Sequence, residues 1–534
     1  MLVLLSTLAL AAALAAPRWA AMARLAPTLE RWEAPLRRRG GLAVALVSIA
    51  VVWFTWDQVA PIPKVHDENS YLLQADIFAS GRWTAPSPPI PDFFEQPHVQ
   101  VVPVVASKYA PGHALLLSLG ALVGFHALVP LLLTGVTAAL VFALATRLTD
   151  PYTGLFTWIV WLTAPIVLRF QQSYFSEVTT TPLVLASWWL LLDWRSDRRP
   201  RSLLLLALAI GWGAITRPLT MLAFAIPVGV LVVRDVARHG LWRDLGKAVA
   251  IGVAVLSLLP LWSWRTTGDW RVSPIEVYRK DYLPFDRMGF TPDTSAPRRA
   301  VSPVLKSAYD YFLMARKEQT LAAVPRTAAD RALQVAIAVF QEARLPLAVL
   351  AVLGFFAAGA RAAALRFGVV SGLVLFVAHL PYAHWAPWTI YYLEAVPVAA
   401  ALVAVGAGLV AARIPGSGRD ARSSLALASV AVALFAGPSV VKWKHDHRTR
   451  GAFDRHFASQ LKLLPSRHAI VFVSYSPRVA QHIAVVFNYA DLAAAPVWVV
   501  HDLGPRNADL KRLTPDRASF DFEEDQLVKG MRRP

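Results

Sequence analysis

Two adjacent carboxylates, Asp67 and Glu68, stand in the stretch His66-Asp67-Glu68-Asn69-Ser70-Tyr71, shortly after a strongly apolar run. A carboxylate at a membrane edge can take the proton of an acceptor hydroxyl as that hydroxyl attacks, with the neighbouring acid tuning it or positioning substrate. The same spacing suits a helix N-terminus, with Asp67 as cap and Glu68 in the first turn. The two readings are compatible, because a cap is also a rigid mount. In Ser107-Lys108-Tyr109-Ala110-Pro111-Gly112-His113, Lys108 can neutralise a departing phosphate, with Tyr109 and His113 beside it. It can equally snorkel next to a helix that opens at the proline. Glu177 follows Tyr174 and Ser176 at the end of an apolar run. Arg217 lies in Thr216-Arg217-Pro218, where no arginine is needed to orient a span. Arg217 can bind a phosphate or carboxylate, or pair with Glu177. His384, Trp385, Tyr391, Tyr392 and Glu394 form a later cluster. Its Tyr and Trp suit an interfacial belt, whereas Glu394 enters an apolar run.

The elements that must position these residues are membrane helices. The 534 residues are 56% hydrophobic and only 16% charged, against roughly a quarter charged in soluble domains. The deficit falls in apolar runs of spanning length. The net charge of +18 comes largely from Arg clusters between those runs, which orient them with the basic turns inside. No soluble basic domain accompanies them, so nucleic acid is not the expected partner. The absence of cysteine excludes disulfides and thiolate metal sites.

Along the chain, residues 1–40 hold a short apolar run, Leu2 to Ala16, and a basic cytoplasmic stretch ending in Arg37-Arg38-Arg39. The apolar run is an accessory membrane segment or a start-site extension. The first confident span is Gly41 to Ala60, with Trp53 and Trp56 at its outer end. An outer loop, 61–126, carries the carboxylate stretch, an amphipathic interfacial helix stopped by Gly81, and the Lys108 motif. About eleven main spans fill 41–441. They are interrupted by a second outer loop, 265–341, that has little apolar periodicity. That loop contains Arg271, Arg279, Lys280, Arg287, Arg298 and Arg299, which could face lipid phosphates. Residues 442–534 are richer in charge and hold two strand-like runs, 469–473 and 497–500, expected to form a small extracytoplasmic α/β domain.

Taken in order, these motifs resemble those of the GT-C-fold membrane glycosyltransferases, closest to the family 39-like group of protein O-mannosyltransferases and aminoarabinose transferases. The matching residues are Asp67-Glu68, Gly81-Arg82-Trp83, Phe94-Glu95-Gln96-Pro97, Lys108-Tyr109-Ala110-Pro111-Gly112, Ser176-Glu177, Thr216-Arg217-Pro218 and Tyr391-Tyr392-Leu393-Glu394-Ala395-Val396-Pro397, within residues 41 to 400. The resemblance implies a donor sugar carried on a polyprenyl phosphate, a first-loop acid at Asp67 and a lipid-phosphate lysine at Lys108. Two departures stand out. The family's Lys-Pro-Pro is here Gln96-Pro97-His98, with Lys108 in a later motif, and Ile390 and Tyr391 stand where an Arg often precedes the Tyr.

The expectation is therefore an all-α polytopic enzyme of the cytoplasmic membrane, moving a sugar from a polyprenyl-phosphate donor to a lipid, glycan or protein acceptor on the outer face. Membrane lipids surround it. Asp67 would serve as base, with Glu68 and Glu177 orienting sugar or acceptor, or holding a divalent cation if one is used. Lys108, Tyr109, His113, Arg217, Tyr392 and Glu394 would bind substrate. No metal constellation or certain cofactor is visible. The competing reading is a transporter or lipid flippase, which should place ionisable residues near mid-span and repeat its halves; neither is clear in the sequence.

Overall fold

The computed structural model describes residues 1–16, 26–56, 58–291, 295–299, 302–357, 360–414, 421–450, 452–475 and 485–523. Helix α1 (Leu2–Ala15) is followed by α2 (Ala26–Thr55) and α3 (His66–Ala79). Three short strands come next: β1 (Ala85–Pro86), β2 (Val99–Gln100) and β3 (Val104–Ser107). Then come α4 (Gly112–Leu122), α5 (Leu128–Leu148), α6 (Pro151–Leu162), α7 (Pro165–Phe170), α8 (Glu177–Asp197), α9 (Pro200–Ala214), α10 (Pro218–His239), α11 (Trp242–Leu256) and α12 (Leu258–Thr267). The chain continues with α13 (Pro274–Tyr282), α14 (Pro303–Glu318), α15 (Val324–Phe340), α16 (Leu345–Phe355), α17 (Ala360–Ala378), α18 (Val396–Arg413), α19 (Ala421–Arg450) and α20 (Ala452–Lys462). It closes with β4 (Ala469–Ser474), β5 (Val497–His501), α21 (Asn507–Leu513) and β6 (Ala518–Glu523).

Every expected span contains helix, but length is uneven. Six described helices are long and apolar enough to cross a membrane, or seven if the bent pair 324–340 and 342–355 counts as one. Several others, such as α6 with 12 residues and α16 with 11, fall short of the roughly 20 residues that a perpendicular crossing needs, and α8, with 21, is not among those apolar enough. The count of eleven crossings is thus not carried by length and composition.

Lipid offers no hydrophobic drive for helices to associate, so close backbone packing must supply it. Gly354 of α16 and Gly406 of α18 show how. A Cβ on either would lie about 2 Å from a carbonyl oxygen of the facing helix, Leu402 or Leu350. Helix α2 also departs from the expected boundary at residue 40. It runs unbroken through Arg37-Arg38-Arg39 and ends at Thr55. Arg422 meets Glu33 at one end of α2, at 2.9 Å. Lys444 lies over the Phe54 ring at the other, at 4.0 Å, so α2 and α19 run side by side in the same direction. The short α1 belongs to the bundle: Ser424 Oγ donates to the Leu14 carbonyl at 2.9 Å, and Leu10 and Leu14 are buried.

The stretch 265–341 is not the irregular loop its composition suggests. It holds α13, α14 and α15, each with proline in its first turn, where the missing N–H costs nothing and φ is already helical. Several of its arginines are committed to protein: Arg279 to Glu276, and Arg299 to Asp92 and Glu95.

Helix α3 also differs from an interfacial helix lying on a membrane. Eight of its 14 residues are buried. Gly81, at φ 75°, ends it in the left-handed region that favours glycine. After it, β1, β3 and β2 pair antiparallel in that order. The C-terminal segment carries three strands, one more than expected, in a parallel sheet ordered β5-β4-β6. This sheet grips the chain just ahead of β2. Phe93 and Phe94, both fully buried, insert among Ile470, Phe472, Trp498 and Val500. Asn488 Nδ2 donates to the Phe94 carbonyl at 2.7 Å, and His501 Nε2 lies 2.7 Å from the Glu95 carbonyl.

Candidate active site

The first turn of α3 resolves the two roles open to Asp67 and Glu68. The N-cap is Val65, and no side chain caps the helix end, so Asp67 is not the cap. Glu68 does the local structural work instead. It is fully buried, and its carboxylate accepts the backbone N–H of Lys64 at 2.8 Å and of Tyr174 at 2.9 Å. The reach back past the helix start resembles half of a capping box. The second bond ties α3 to the turn before α8. Burial pushes the Glu68 carboxyl up to about 7, against those two hydrogen bonds. With both oxygens held by backbone, Glu68 is a mount rather than a substrate contact.

Asp67 is engaged by side chains instead of backbone. One of its oxygens accepts from the Tyr109 hydroxyl, and the other lies 3.4 Å from His98 Nε2. The carboxylate is set deep among protein atoms yet keeps 32% of its side-chain surface accessible. Burial works against its charge. The His98 imidazole, the Tyr109 hydroxyl and the Lys108 ammonium outweigh that and hold it well below the usual carboxylate range.

Lys108 reaches the same place by way of the hairpin. Pairing of Val99 with Ser107 in β2 and β3 brings the flanking residues 98 and 108 together, and the Lys108 N–H donates to the His98 carbonyl at 3.0 Å. The nine residues between the Gln96-Pro97-His98 motif and Lys108 are thus cancelled in space. The ammonium sits 5.1 Å from the Tyr109 ring centre and 5.0 Å from that of Tyr278. Among the described residues it makes no hydrogen bond or ion pair. Burial lowers its pKa, opposed by Asp286 and Asp67. An ammonium held by two aromatic faces keeps its donors for a ligand.

His98 was not singled out by sequence reasoning as a site residue, and it is central. Its backbone is left-handed, at φ 65°, a conformation that strains a non-glycine residue and persists only where surroundings over-determine it. Here three bonds do so: its N–H donates to the Tyr278 hydroxyl at 2.8 Å, and its carbonyl accepts from Lys108 N and from Ser70 Oγ. Burial and nearby Lys108 lower the imidazole pKa. With its pKa lowered, His98 acts on Asp67 through its Nε2–H, and replacing it with Asn, which tolerates a left-handed backbone, removes that donor, one of the influences holding Asp67 ionised. The Asp67 pKa then rises, and a base must be ionised to accept a proton. The acid limb of kcat/KM should move to higher pH, and superimposable pH profiles would count against this coupling.

A second group lies behind the first. Glu177, at the start of α8, is buried and pairs with Arg217 Nη1 at 2.5 Å, and that nitrogen also donates to Ser176 Oγ at 3.2 Å. The Tyr71 hydroxyl donates to the same Ser176 oxygen, also at 3.2 Å. Tyr71 packs 4.8 Å from Tyr109 and 4.8 Å from His113, centre to centre. A continuous path of contacts therefore runs from Asp67 through Tyr109, Tyr71 and Ser176 to Arg217 and Glu177. Glu394 accepts from Thr180 Oγ1 one turn into α8, while its Oε2 is buried without a hydrogen-bond partner.

Two expected substrate ligands are otherwise engaged. His113 is fully buried, with Nδ1 2.8 Å from Thr179 Oγ1 and Nε2 2.7 Å from the Tyr174 carbonyl. Burial lowers its pKa to about 4, so it is a neutral strut. Tyr392 is buried against His384 Nε2, 3.2 Å from its hydroxyl. It is Tyr391 whose ring lies under the Arg217 guanidinium, at 5.6 Å. Tyr71 could have been found from sequence, since it stands four residues after Asp67 and hence on its helix face. Nothing local signals Tyr278, which arrives from α13. No group of three or more His, Asp or Glu among the described residues is placed to hold a metal.

This arrangement falls within a known architecture. Residues 108–264, which begin at Lys108 and include Glu177 and Arg217, match the family of dolichyl-phosphate-mannose-protein mannosyltransferases. The chain has the fold of ArnT from Cupriavidus metallidurans. The undecaprenyl-phosphate-bound structure superposes with TM-score 0.53 and the apo structure with 0.54, each at 15% identity over 92% of this chain and 91% of ArnT. The arabinofuranosyltransferase AftD from Mycobacteria aligns at 16% identity over 88% of this chain and 32% of AftD, with TM-score 0.42. A comparison with curated protein sequences finds no match. The chain therefore has the multi-pass GT-C fold, and its sequence resemblance to that class of glycosyltransferases holds in its structure.

Proposed function

We propose that the chain is a membrane glycosyltransferase that moves a sugar from a polyprenyl-phosphate donor to an acceptor hydroxyl on the outer side of the cytoplasmic membrane. The observation that carries this reading is an ionised, accessible carboxylate, Asp67, beside a buried ammonium, Lys108, that makes no ion pair among the described residues. His98 and Tyr109, which flank the β2–β3 hairpin, hold Asp67 beside Lys108. A sugar phosphate ester asks for both: a base for the incoming hydroxyl and a cation for the outgoing phosphate. The ArnT structure bound to undecaprenyl phosphate shows that this fold can hold such a lipid. Basic turns read as inside support an outer position for the Asp67 end and for the C-terminal sheet beside it.

In the reaction the acceptor oxygen attacks the anomeric carbon from the side opposite the phosphate. The carbon–oxygen bond to phosphate breaks, its electron pair leaves with the phosphate, and the acceptor proton passes to Asp67. The configuration inverts. A carboxylate with so low a pKa is a weak base, but the acceptor proton becomes strongly acidic as the new bond forms. Phosphate arriving beside Lys108 also screens the charge that depresses Asp67. Tyr109 and His98 hold the carboxylate in register, and Arg217, fixed by Glu177, stands behind as a second cation for the leaving group.

Lys108→Met keeps the volume and removes the charge. It should lower kcat/KM for a polyprenyl-phosphate sugar by about 10²–10³-fold, with kcat falling as well as KM rising, because charge builds on the phosphate as it leaves. Steady-state transfer of radiolabelled sugar measures this. Wild-type protein that turns over no polyprenyl-phosphate sugar would favour transport over transfer.

A further inference from the structure

A groove lined by none of the residues around Asp67 opens between α1, α16 and α19. Its walls include Leu10, Leu347, Val432 and Phe435, and its polar end is made by Arg344, Lys442 and Trp443. The chain reaches this place through a sharp break. Helices 324–340 and 342–355 meet at 95°, and Glu342 at the corner is left-handed, at φ 55°. A strained non-glycine residue at a bend is a cue to function, and the bend turns Arg344 inward.

Arg344 is 7% exposed. Its Nε donates to the Val339 carbonyl at 2.8 Å, Nη1 to Thr163 Oγ1 at 2.5 Å and Nη2 to the Val160 carbonyl at 2.7 Å. These are neutral oxygens. Among the described residues no carboxylate pairs with it, because Glu342, the nearest acid in sequence, pairs with Lys442 at 3.4 Å. A guanidinium has five N–H donors, so one remains on each terminal nitrogen. A buried, uncompensated cation within a membrane protein is costly unless an anion joins it. The groove beside it is lined mainly by apolar side chains, with Ser6, Gln341 and Ser439 among them, and Arg344, Lys442 and Glu342 give it a net local charge of one positive.

We infer that this groove is a structural lipid site. It takes an anionic glycerophospholipid from the bilayer, with its phosphate at Arg344 and Lys442 and an acyl chain along Leu10, Leu347 and Val432. Helix α1, only 14 residues long, forms one wall, and the lipid completes the packing that so short a helix leaves open. The site is independent of the transfer reaction.

The test is native mass spectrometry of the full chain released from mixed phosphatidylglycerol and phosphatidylcholine vesicles. Wild type should retain one phosphatidylglycerol in preference to phosphatidylcholine. Lys442→Gln, at an exposed position, should lower that retention several-fold. Arg344→Gln should abolish it. Ala436→Trp, which fills the groove and leaves both cations in place, should abolish it too, guarding against a folding defect in the arginine variant. Lys108→Met should retain the lipid as wild type does. Equal retention of both lipids, loss with Lys108→Met, or retention unchanged by Lys442→Gln and Ala436→Trp would overturn the assignment.

Discussion

Asp67→Asn lowers kcat for sugar transfer by about 10²–10⁴-fold, the usual contribution of a positioned base, or roughly 2.7–5.5 kcal/mol of barrier. The side chain keeps its size, and an amide oxygen can still accept from the Tyr109 hydroxyl, so the cleft should keep its shape. What disappears is the charge between His98 and Lys108 and the lone pair that takes the acceptor proton. Donor binding should change little, because Lys108 remains. Single-turnover release of radiolabelled sugar separates the two effects, and a melting temperature equal to wild type excludes a folding defect. Undiminished turnover would remove Asp67 from the base role.

Arg217→Ala should destabilise the protein by about 3–5 kcal/mol, the cost of leaving a buried charge without its partner. Arg217 is the cation opposite Glu177, at 2.5 Å, and Glu177 is nearly inaccessible. Glu394, a second buried carboxylate, also feels the Arg217 charge. Removing the arginine strands both acids. Adding Glu177→Gln removes one stranded charge, so the double variant should recover part of the lost stability even though it lacks one more native group. That non-additivity is the signature of a direct pair. Thermal unfolding in detergent reads it, and a single variant as stable as wild type would show that water reaches these acids freely. Activity should stay low in the double variant, because the second cation behind the phosphate is still missing.

The site's two halves were legible to different degrees. Asp67, Lys108, Glu177 and Arg217 could be picked out because each is an ionisable residue at the end of an apolar run, where composition alone makes it conspicuous. Their division of labour could not. Asp67 and Glu68 are neighbours with the same chemistry, and only the approach of Tyr174 from the turn before α8 assigns one to the backbone and leaves the other accessible. His113 and Tyr392 looked like ligands because they sit in motifs, yet burial against Thr179 and His384 takes them out. Tyr391 takes the place beside Arg217. The third strand of the C-terminal sheet was passed over, although Ala518, Phe520 and Phe522 alternate with polar residues in the period expected of a strand.

What the sequence determined by itself is the class of molecule: apolar runs too long and too numerous for a soluble core, basic turns that orient them, and acids and bases gathered near one end. Those are one-dimensional properties, set by the cost of placing charge in hydrocarbon. The tertiary structure alone decided which charges are spent and which are free. Lys108 meets His98 only because β2 and β3 fold back on each other. Arg217 neutralises Glu177 only because α8 and α10 start side by side. The loop before His98 is held by a sheet from the far end of the chain. Each is a contact between residues distant in sequence, and whether a buried charge has a partner depends on a few ångströms that no local pattern encodes.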